Sequence, residues 1–316
     1  MNHVIKRLAM LLATMLLVSL LAFVAFDLIS GDPATSMLGT EATPERVAAL
    51  REELGLNRPL PVRYIEWLLG FFSGNLGVSY NYRQLVWQLI APKILVTLVL
   101  SLLSFALIAV ISIPLGVRSA GQAGERFDGL RTAFNQLCMA VPPAFLGILL
   151  TWLFGTMLHG FVHGNFPDLT EDPLGALRYL FFAAIAIAVP RIAMTVRMLR
   201  STILSEMRKD YVRTAISRGN DRRHVLYGHV LKNAMVPVVT FLAQTMAEIV
   251  AGSIVVEQVF AIPGLGRMLV SSIANRDYPV VQAIVVILAF WVVLSGTAAD
   301  LISQRIDPRL RLEEEA

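Results

Sequence analysis

Six mostly apolar stretches divide the sequence, and each is near the length of about 20 residues that a helix needs to cross a bilayer. They cover residues 8–26, 94–117, 132–156, 177–197, 234–256 and 280–302. The first follows Lys6 and Arg7 and looks like a signal peptide. Its apolar part is longer than the usual run of about 7–15 residues, and it lacks a small-x-small cleavage site. We therefore expect it to remain as the first span.

The spans contain prolines, which membrane helices tolerate where neighbouring helices or water satisfy the freed backbone groups. They are Pro114, Pro142, Pro143, Pro190 and Pro237. The spans divide the chain into a first span with its N-terminal end (1–30), a loop region (31–92), a core of five spans (93–306) and a tail (307–316). A polar connection, 200–233, lies within the core.

The loop region 31–92 predicts a small helical cap. Thr43-Pro44 is a helix-start signal, a capping residue followed by proline in the first turn. Gly55 fits the matching stop. Aromatic residues follow at Trp67, Phe71, Phe72 and Trp87, as expected of segments at the membrane interface.

Successive loops are alternately rich and poor in lysine and arginine, and this alternation predicts the orientation of the spans in the membrane. One side carries Lys6, Arg7, Arg118, Arg126, Arg131, most of the basic residues of 200–233, and Arg305, Arg309 and Arg311. The short loops on the other side hold only Arg267 and Arg276. We expect both termini to be cytoplasmic, in a bacterial inner membrane, and the loop region 31–92 to be exported.

Composition agrees with a membrane protein, because 56% of the residues are hydrophobic and only 16% charged, against about 25% charged in soluble domains. The mean hydropathy is +0.64. The net charge of +4 is explained by the membrane orientation, which argues against nucleic-acid binding. The single cysteine, Cys138, excludes an internal disulfide and reads as a buried, inert thiol.

The segment from Asp210 to Gly219 is polar, basic and long for a connection between helices. Its sequence is Asp-Tyr-Val-Arg-Thr-Ala-Ile-Ser-Arg-Gly. Small residues at Thr214 and Ala215 permit close approach of another surface, and Gly219 can end a short helix with positive φ. The pattern fits a short helix on the membrane face that docks a partner. A solvated basic loop fits it as well.

This segment resembles the cytoplasmic loop of binding-protein-dependent ABC importer permeases, whose pattern is Glu-Ala-Ala, three residues, then Gly. Ala215 and Gly219 stand at that spacing, whereas Arg213 and Thr214 replace the Glu and the first Ala. These departures resemble the dipeptide/oligopeptide/nickel branch, where Tyr-Val-Arg-Thr-Ala is usual. Further segments resemble that branch in the same order: residues 54–60, 74–79, 142–147, 256–260, 262–266, 276–282 and 307–309.

The resemblance implies an all-α integral membrane protein with six transmembrane helices of the type I ABC importer permease architecture. It implies a second permease subunit, two ATP-binding subunits and an external solute-binding protein as partners. It also implies that the connection docks into a groove on the ATPase through Arg213, Thr214, Ala215 and Gly219. Arg222 and Arg223 are flanking electrostatic candidates.

The chain lacks the Gly-x-x-x-x-Gly-Lys-Ser/Thr loop that cradles nucleotide phosphates. Its lysines are Lys6, Lys93, Lys209 and Lys232, and none follows a glycine. We expect no enzymatic activity and no cofactor in this chain, with ATP and Mg²⁺ used by partner subunits.

Ionisable residues within spans are functional candidates by default. Glu248, midway along the fifth span, could face the translocation pathway or pair with an arginine at a helix interface. Asp300 reads as an interface or capping group. Arg191 and Arg197 are expected to extend to the membrane interface.

His159 and His163 are four residues apart and could share a metal ion such as nickel or zinc. Neighbouring glycines make continued helix doubtful there, and no third ligand is evident. We expect His224 and His229 to be polar groups in a loop, and Pro263-Gly264-Leu265-Gly266 to form a turn.

An intramembrane enzyme would need a nucleophile–base or metal-ligand set within the spans, which the sequence does not supply. A self-sufficient carrier or channel would be expected to show inverted repeats or several embedded charges. Short peptides are the expected cargo, and nickel or a metal chelate is the alternative. The motifs describe the machinery that these importers share and not the cargo, so they do not decide between the two.

Overall fold

The computed structural model describes residues 2–29, 32–39, 42–157 and 164–306, which are mostly helical. Within them the α-helices are α1 Asn2–Ile29, α2 Pro33–Leu38, α3 Pro44–Glu53, α4 Leu60–Phe72, α5 Val86–Gly121, α6 Asp128–Ala140, α7 Pro143–Leu150, α8 Pro173–Glu206, α9 Asp210–Ser217, α10 Arg222–Val225, α11 Leu231–Val259, α12 Leu265–Ala274 and α13 Tyr278–Ile306. Two π-helical turns, Thr151–Met157 and Leu226–Val230, continue α7 and α10.

Four of the described helices are long and apolar enough to span a bilayer: Val86–Gly121, Pro173–Glu206, Arg223–Val259 and Tyr278–Ala299. They contain all or most of the second, fourth, fifth and sixth predicted spans. The first predicted span falls on α1, which contributes the apolar stretch Ala9–Ala25. The all-helical membrane fold is thus confirmed, whereas the count of six spans stays a prediction.

The third predicted span, 132–156, is not one continuous helix. It consists of α6 and α7 with its π-helical extension, and the two parts are bent by 94°. Pro142 and Pro143 explain the break, because proline lacks an N–H and restricts the residue before it to extended backbone. Val141 is extended, with ψ of 121°.

The small cap predicted in the loop region is present. The side chain of Thr43 accepts the N–H of Arg46 at 3.4 Å and so caps α3. Gly55 has a φ of +67° just beyond the end of α3, where the left-handed region favours glycine. A small apolar cluster of Ala34, Leu50 and Leu56 packs α2 against α3.

The chain forms two compact units. The first comprises residues 1–97 and 263–293. In it α4 lies against α1, where the Tyr64 hydroxyl is 2.9 Å from the Ser19 hydroxyl and Trp67 packs near Phe23. At the start of α12, the N–H of Leu265 donates to the Thr97 hydroxyl at 2.8 Å.

The second unit comprises residues 98–262 and 294–316, and α8 is its most buried helix. Helices α6, α7 and α11 pack on α8. Small side chains let helices approach closely in membranes, and α8 buries six alanines: Ala176, Ala183, Ala184, Ala186, Ala188 and Ala193. Gly116 and Gly147 make comparable contacts, against Leu199 and against Val259 and Phe260.

Candidate functional site

The connection between α8 and α11 runs over residues 207–230, and we call it the coupling segment. It is shorter than the predicted 200–233, because α8 continues to Glu206 and α11 begins at Leu231. A helix of 34 residues is about 50 Å long, well beyond the hydrocarbon core of about 30 Å. The extended end of α8 therefore carries the coupling segment away from the bilayer core.

Glu206 at the end of α8 organises the start of the coupling segment. Its carboxylate accepts hydrogen bonds from Lys209 Nζ at 2.5 Å and from the Tyr211 hydroxyl at 2.9 Å. The same hydroxyl accepts the side-chain amide of Asn233, on α11, at 3.2 Å. Tyr211 thus joins α9 to the helices that precede and follow it. Burial, together with the Glu206 contact, raises the pKa of the Tyr211 hydroxyl.

Helix α9 is amphipathic and turns one face into the protein. Val212 is only 1% exposed and fixes that face. Arg213, Thr214 and Ile216 are exposed to solvent, and Arg213 lies 3.8 Å from the Asp210 carboxylate.

The end of α9 is a glycine stop, as the sequence predicts. Gly219 has a φ of +87°, and its N–H donates to the Ile216 carbonyl at 2.9 Å. Asn220 caps the helix, because both its backbone N–H and its side-chain amide donate to the Ala215 carbonyl. A built Cβ at Gly219 meets no atom within 4 Å, so the glycine is required by its backbone conformation and not by crowding.

The predicted docking residues lie together on the coupling segment. Arg213, Thr214, Gly219 and Arg223 are exposed, and Ala215 is half-buried. Arg222 begins α10, but its side chain lies outside the described part of the chain. Whether these residues contact an ATPase stays a prediction.

Sequence reasoning missed the residues that hold α9 in place: Val212, Glu206, Tyr211 and Asn233. A usable signal for Val212 was present, since apolar residues at i and i+4, here Val212 and Ile216, indicate the inward side of a short helix. No local pattern indicates that Glu206 and Asn233, 27 positions apart, meet at one phenol.

Glu248 on α11 pairs with Arg191 on α8, one of the two possibilities that the sequence left open. The Glu248 side chain is still 51% exposed, against 27% for Arg191. Whether Arg191 also extends to the membrane interface stays a prediction. A role of Glu248 in the pathway stays a prediction.

The other sequence candidates are less informative. His159 and His163 lie outside the described residues, as does the side chain of Asp300. Among the residues that are described, no group of three or more His, Cys, Asp or Glu side chains could hold a metal. His224 and His229 lie on α10 and its π-helical extension, so the prediction of a loop was wrong there.

Two of the family-like segments, 74–79 and 276–282, meet in the first compact unit around Asp277. The fully buried Asp277 carboxylate accepts the Ser79 hydroxyl, and it accepts the N–H groups of Tyr80 at 3.0 Å and Asn81 at 3.4 Å. A buried carboxylate needs such donors. Motifs about 200 positions apart are therefore one structural element.

Comparison with known proteins agrees with this architecture. Residues 112–312 match the family model described as the binding-protein-dependent transport system inner membrane component. Residues 1–102 match the model of the N-terminal part of the same membrane component. The two matches together cover nearly the whole chain, including the coupling segment and both segments that meet at Asp277.

Curated relatives match over their whole length. A peptide transport system permease protein of Brucella abortus is 38% identical over 310 residues, which cover 98% of this chain and 99% of the relative. A peptide ABC transporter permease protein of Sinorhizobium fredii is 33% identical over 309 residues, with the same coverage. The dipeptide transport system permease protein DppB of Escherichia coli is 31% identical over 335 residues, again covering 98% and 99%. The chain belongs to the family of binding-protein-dependent transport system inner membrane components.

Proposed function

We propose that this chain is a permease subunit of an ATP-driven peptide importer. Its coupling segment receives the closure of a cytoplasmic ATPase and passes it to the spans. One observation carries the proposal: Arg213, Thr214 and Ile216 of α9 are exposed while Tyr211 ties the helix to Glu206 and Asn233. A push on α9 reaches α8 and α11 together.

The proposed topology places the coupling segment and both termini in the cytoplasm. The distribution of lysine and arginine supports this orientation. The segments that meet at Asp277 then lie outside, where an external binding protein delivers its solute. A second, homologous permease completes the translocation pathway, and two ATPase subunits bind and hydrolyse ATP with Mg²⁺.

Short peptides are the proposed cargo, because the relatives in Brucella, Sinorhizobium and Escherichia are named as peptide or dipeptide permeases. The Glu248–Arg191 pair offers a carboxylate and a guanidinium, the two charges that complement the termini of a zwitterionic peptide. Nickel or a metal chelate remains the alternative cargo of the same machinery.

The test is purification of the tagged chain from its native membranes in mild detergent, with mass spectrometry of the proteins that accompany it. We expect a second permease and ATPase subunits in stoichiometric amounts. The assembly is then reconstituted with its binding protein, and ATP hydrolysis is measured with di- and tripeptides and with nickel. Stimulation by nickel alone would reassign the cargo. A chain that transports solute without any ATPase would be a self-sufficient carrier or channel instead.

A further inference from the structure

A basic cavity lies between α6 and α8 in the second compact unit, away from Glu248 and from α9. It has a volume of about 300 Å³. Its lining combines three arginines, Arg131, Arg197 and Arg200, with neutral polar and apolar side chains that include Ser119, Val196 and Leu204. On the proposed topology it opens near the cytoplasmic surface of the membrane.

One of the three arginines is fully compensated within the fold. Arg200 forms a two-pronged ion pair with Asp128, at 2.7 and 2.8 Å, and also donates to the backbone and hydroxyl oxygens of Ser119. The side chains of Arg200 and Asp128 are less than one-fifth exposed. This pair fixes the start of α6 against α8, and it contributes no net charge to the cavity.

The second arginine is only partly compensated. Arg131 donates to the Gln122 side chain at 2.5 Å and to the exposed Glu125 carboxylate at 3.1 Å, in both cases through its terminal nitrogens. Its Nε is buried and has no hydrogen-bond partner. A buried charged donor without an acceptor is unfavourable, so this group favours an added acceptor.

The third arginine leaves the cavity with excess positive charge. Arg197 is exposed, and within the part of the chain that the structure describes no carboxylate forms an ion pair with it. Three guanidinium groups therefore face two carboxylates, Asp128 and Glu125. One positive charge is therefore left without a counter-charge, and it lies beside the Arg131 Nε–H, which has no acceptor.

We propose that this cavity binds a phosphate-type anion. In the membrane, that anion is the phosphodiester headgroup of an anionic phospholipid. Guanidinium groups match phosphate oxygens in geometry and charge, and basic pockets between membrane helices at the cytoplasmic side attract such headgroups. The apolar side chains Val196 and Leu204 suit the glycerol carbons next to the phosphate. The outer face of α6 is apolar and exposed at Leu130, Phe134 and Leu137, which brings lipid to the edge of the cavity.

The bound headgroup links α6 to α8 through Arg131 and Arg197, so it stabilises the bend between α6 and α7 from one end. This inference does not depend on the cargo, since none of these residues belongs to the coupling segment or to the Glu248–Arg191 pair.

The experiment compares the purified assembly containing the wild-type chain, Arg197→Gln, Arg131→Gln, or Arg208→Gln as an exposed arginine outside the cavity. Each assembly is delipidated and titrated with short-chain phosphatidylglycerol, short-chain phosphatidylcholine or inorganic phosphate. Native mass spectrometry counts bound lipid, and thermal unfolding measures stabilisation.

We expect phosphatidylglycerol to bind wild type and Arg208→Gln alike, and Arg197→Gln about tenfold or more weakly, as loss of one charge-assisted contact implies. Stabilisation by inorganic phosphate equal to that by the lipid would identify the phosphate group alone as the ligand. Equal binding of both lipids, or binding that neither cavity substitution weakens, would overturn the proposal.

Discussion

The Tyr211 hydroxyl donates to the Glu206 carboxylate at 2.9 Å and accepts the Asn233 amide at 3.2 Å. One phenol thereby connects the end of α8, the start of α9 and the start of α11. Because α8 and α11 also pack against each other, we expect the three helices to move as a group when α9 is displaced. We propose that Tyr211 is a positioning residue for coupling, which acts through Glu206 and Asn233.

Replacement Tyr211→Phe tests this role. It removes a hydrogen bond to a charged group, which is worth roughly 1.5–3 kcal/mol, while it keeps the ring. We expect peptide uptake by the reconstituted assembly to fall several-fold while basal ATP hydrolysis persists, so that fewer peptides move per ATP. Tyr227→Phe, at an exposed tyrosine on the same segment, is the matched control. An unchanged peptide-to-ATP ratio in Tyr211→Phe would refute the positioning role.

The Glu248–Arg191 pair predicts charge-selective transport. If Glu248 faces the pathway, Glu248→Gln removes a carboxylate that attracts cationic peptides, and it leaves Arg191 to repel them. We expect the KM for lysine-containing dipeptides to rise more than that for neutral or acidic ones. Uptake kinetics with a matched set of dipeptides provide the measurement.

A purely structural pair behaves differently in the same assay. All dipeptides would then be affected alike, and the double variant Arg191→Gln/Glu248→Gln would recover what either single variant loses, because no unpaired charge remains. That pattern would remove Glu248 from the pathway.

Close packing between α5 and α8 depends on Gly116. A Cβ at this position would lie 2.8 Å from Leu199 Cδ2, which is too close without movement of α8. We expect Gly116→Leu to lower the unfolding temperature of the assembly, since overpacking usually costs about 1–3 kcal/mol. Leu199→Ala in the same chain should recover part of the loss. Gly121→Leu is the control on the same helix, where a Cβ meets no atom within 4 Å. Equal destabilisation by both substitutions would refute the packing explanation, because only Gly116 meets Leu199 and leucine favours a helix more than glycine does.

Substitution of the buried Asp277 should destabilise the protein through lost hydrogen bonds and not through overpacking. Asp277→Asn keeps the shape but replaces an acceptor oxygen by an NH₂ group, which opposes either the Ser79 hydroxyl or a backbone N–H. We expect a loss of roughly 1–3 kcal/mol in stability, measured by thermal unfolding of the purified assembly. Asp168→Asn is the control, at an exposed carboxylate whose described partners, Thr170 and Glu171, lie in its own turn, and it should cost less. A stable Asp277→Asn variant would show that 74–79 and 276–282 do not depend on this carboxylate.

Much of this architecture is readable from sequence because bilayer thickness fixes the length of apolar runs. The runs at 94–117, 177–197 and 234–256 all fall within single long helices. The start of α3 follows from Thr43 and Pro44, and the end of α9 from Gly219, since these signals are local. The break at Val141 was harder to predict, because hydropathy continues through it even though two prolines stop the helix.

Pairings between distant residues could not be read from one sequence. Arg191 and Glu248 are 57 positions apart, and each has several possible partners at its depth in the membrane. Only the packing of α8 on α11 selects this pair. The same holds for Asp277, whose donors lie about 200 positions away at residues 79–81, and for the cavity between α6 and α8, whose charge balance depends on which arginines are already paired.

Gly219 provides a direct test of the docking surface. Its φ of +87° lies in the region that side chains other than glycine and asparagine rarely adopt, and the space around it is open. Gly219→Asn should therefore retain the turn and most of the uptake. Gly219→Trp adds both backbone strain and a large ring at the end of α9, where the ATPase is proposed to dock. We expect Gly219→Trp to insert into the membrane normally and to abolish peptide uptake, with weakened co-purification of the ATPase.

The control separates docking from folding. Gly39 also has a positive φ and open surroundings, but it lies in the loop region that the proposed topology places outside. Gly39→Trp likewise puts a large side chain at a positive φ, and it should leave ATPase binding intact, because no ATPase reaches that side. If Gly219→Trp retains both its ATPase and its uptake, α9 is not the docking helix. Loss of the ATPase in both variants would instead indicate general misfolding, since only one of the two substitutions lies on the proposed cytoplasmic face.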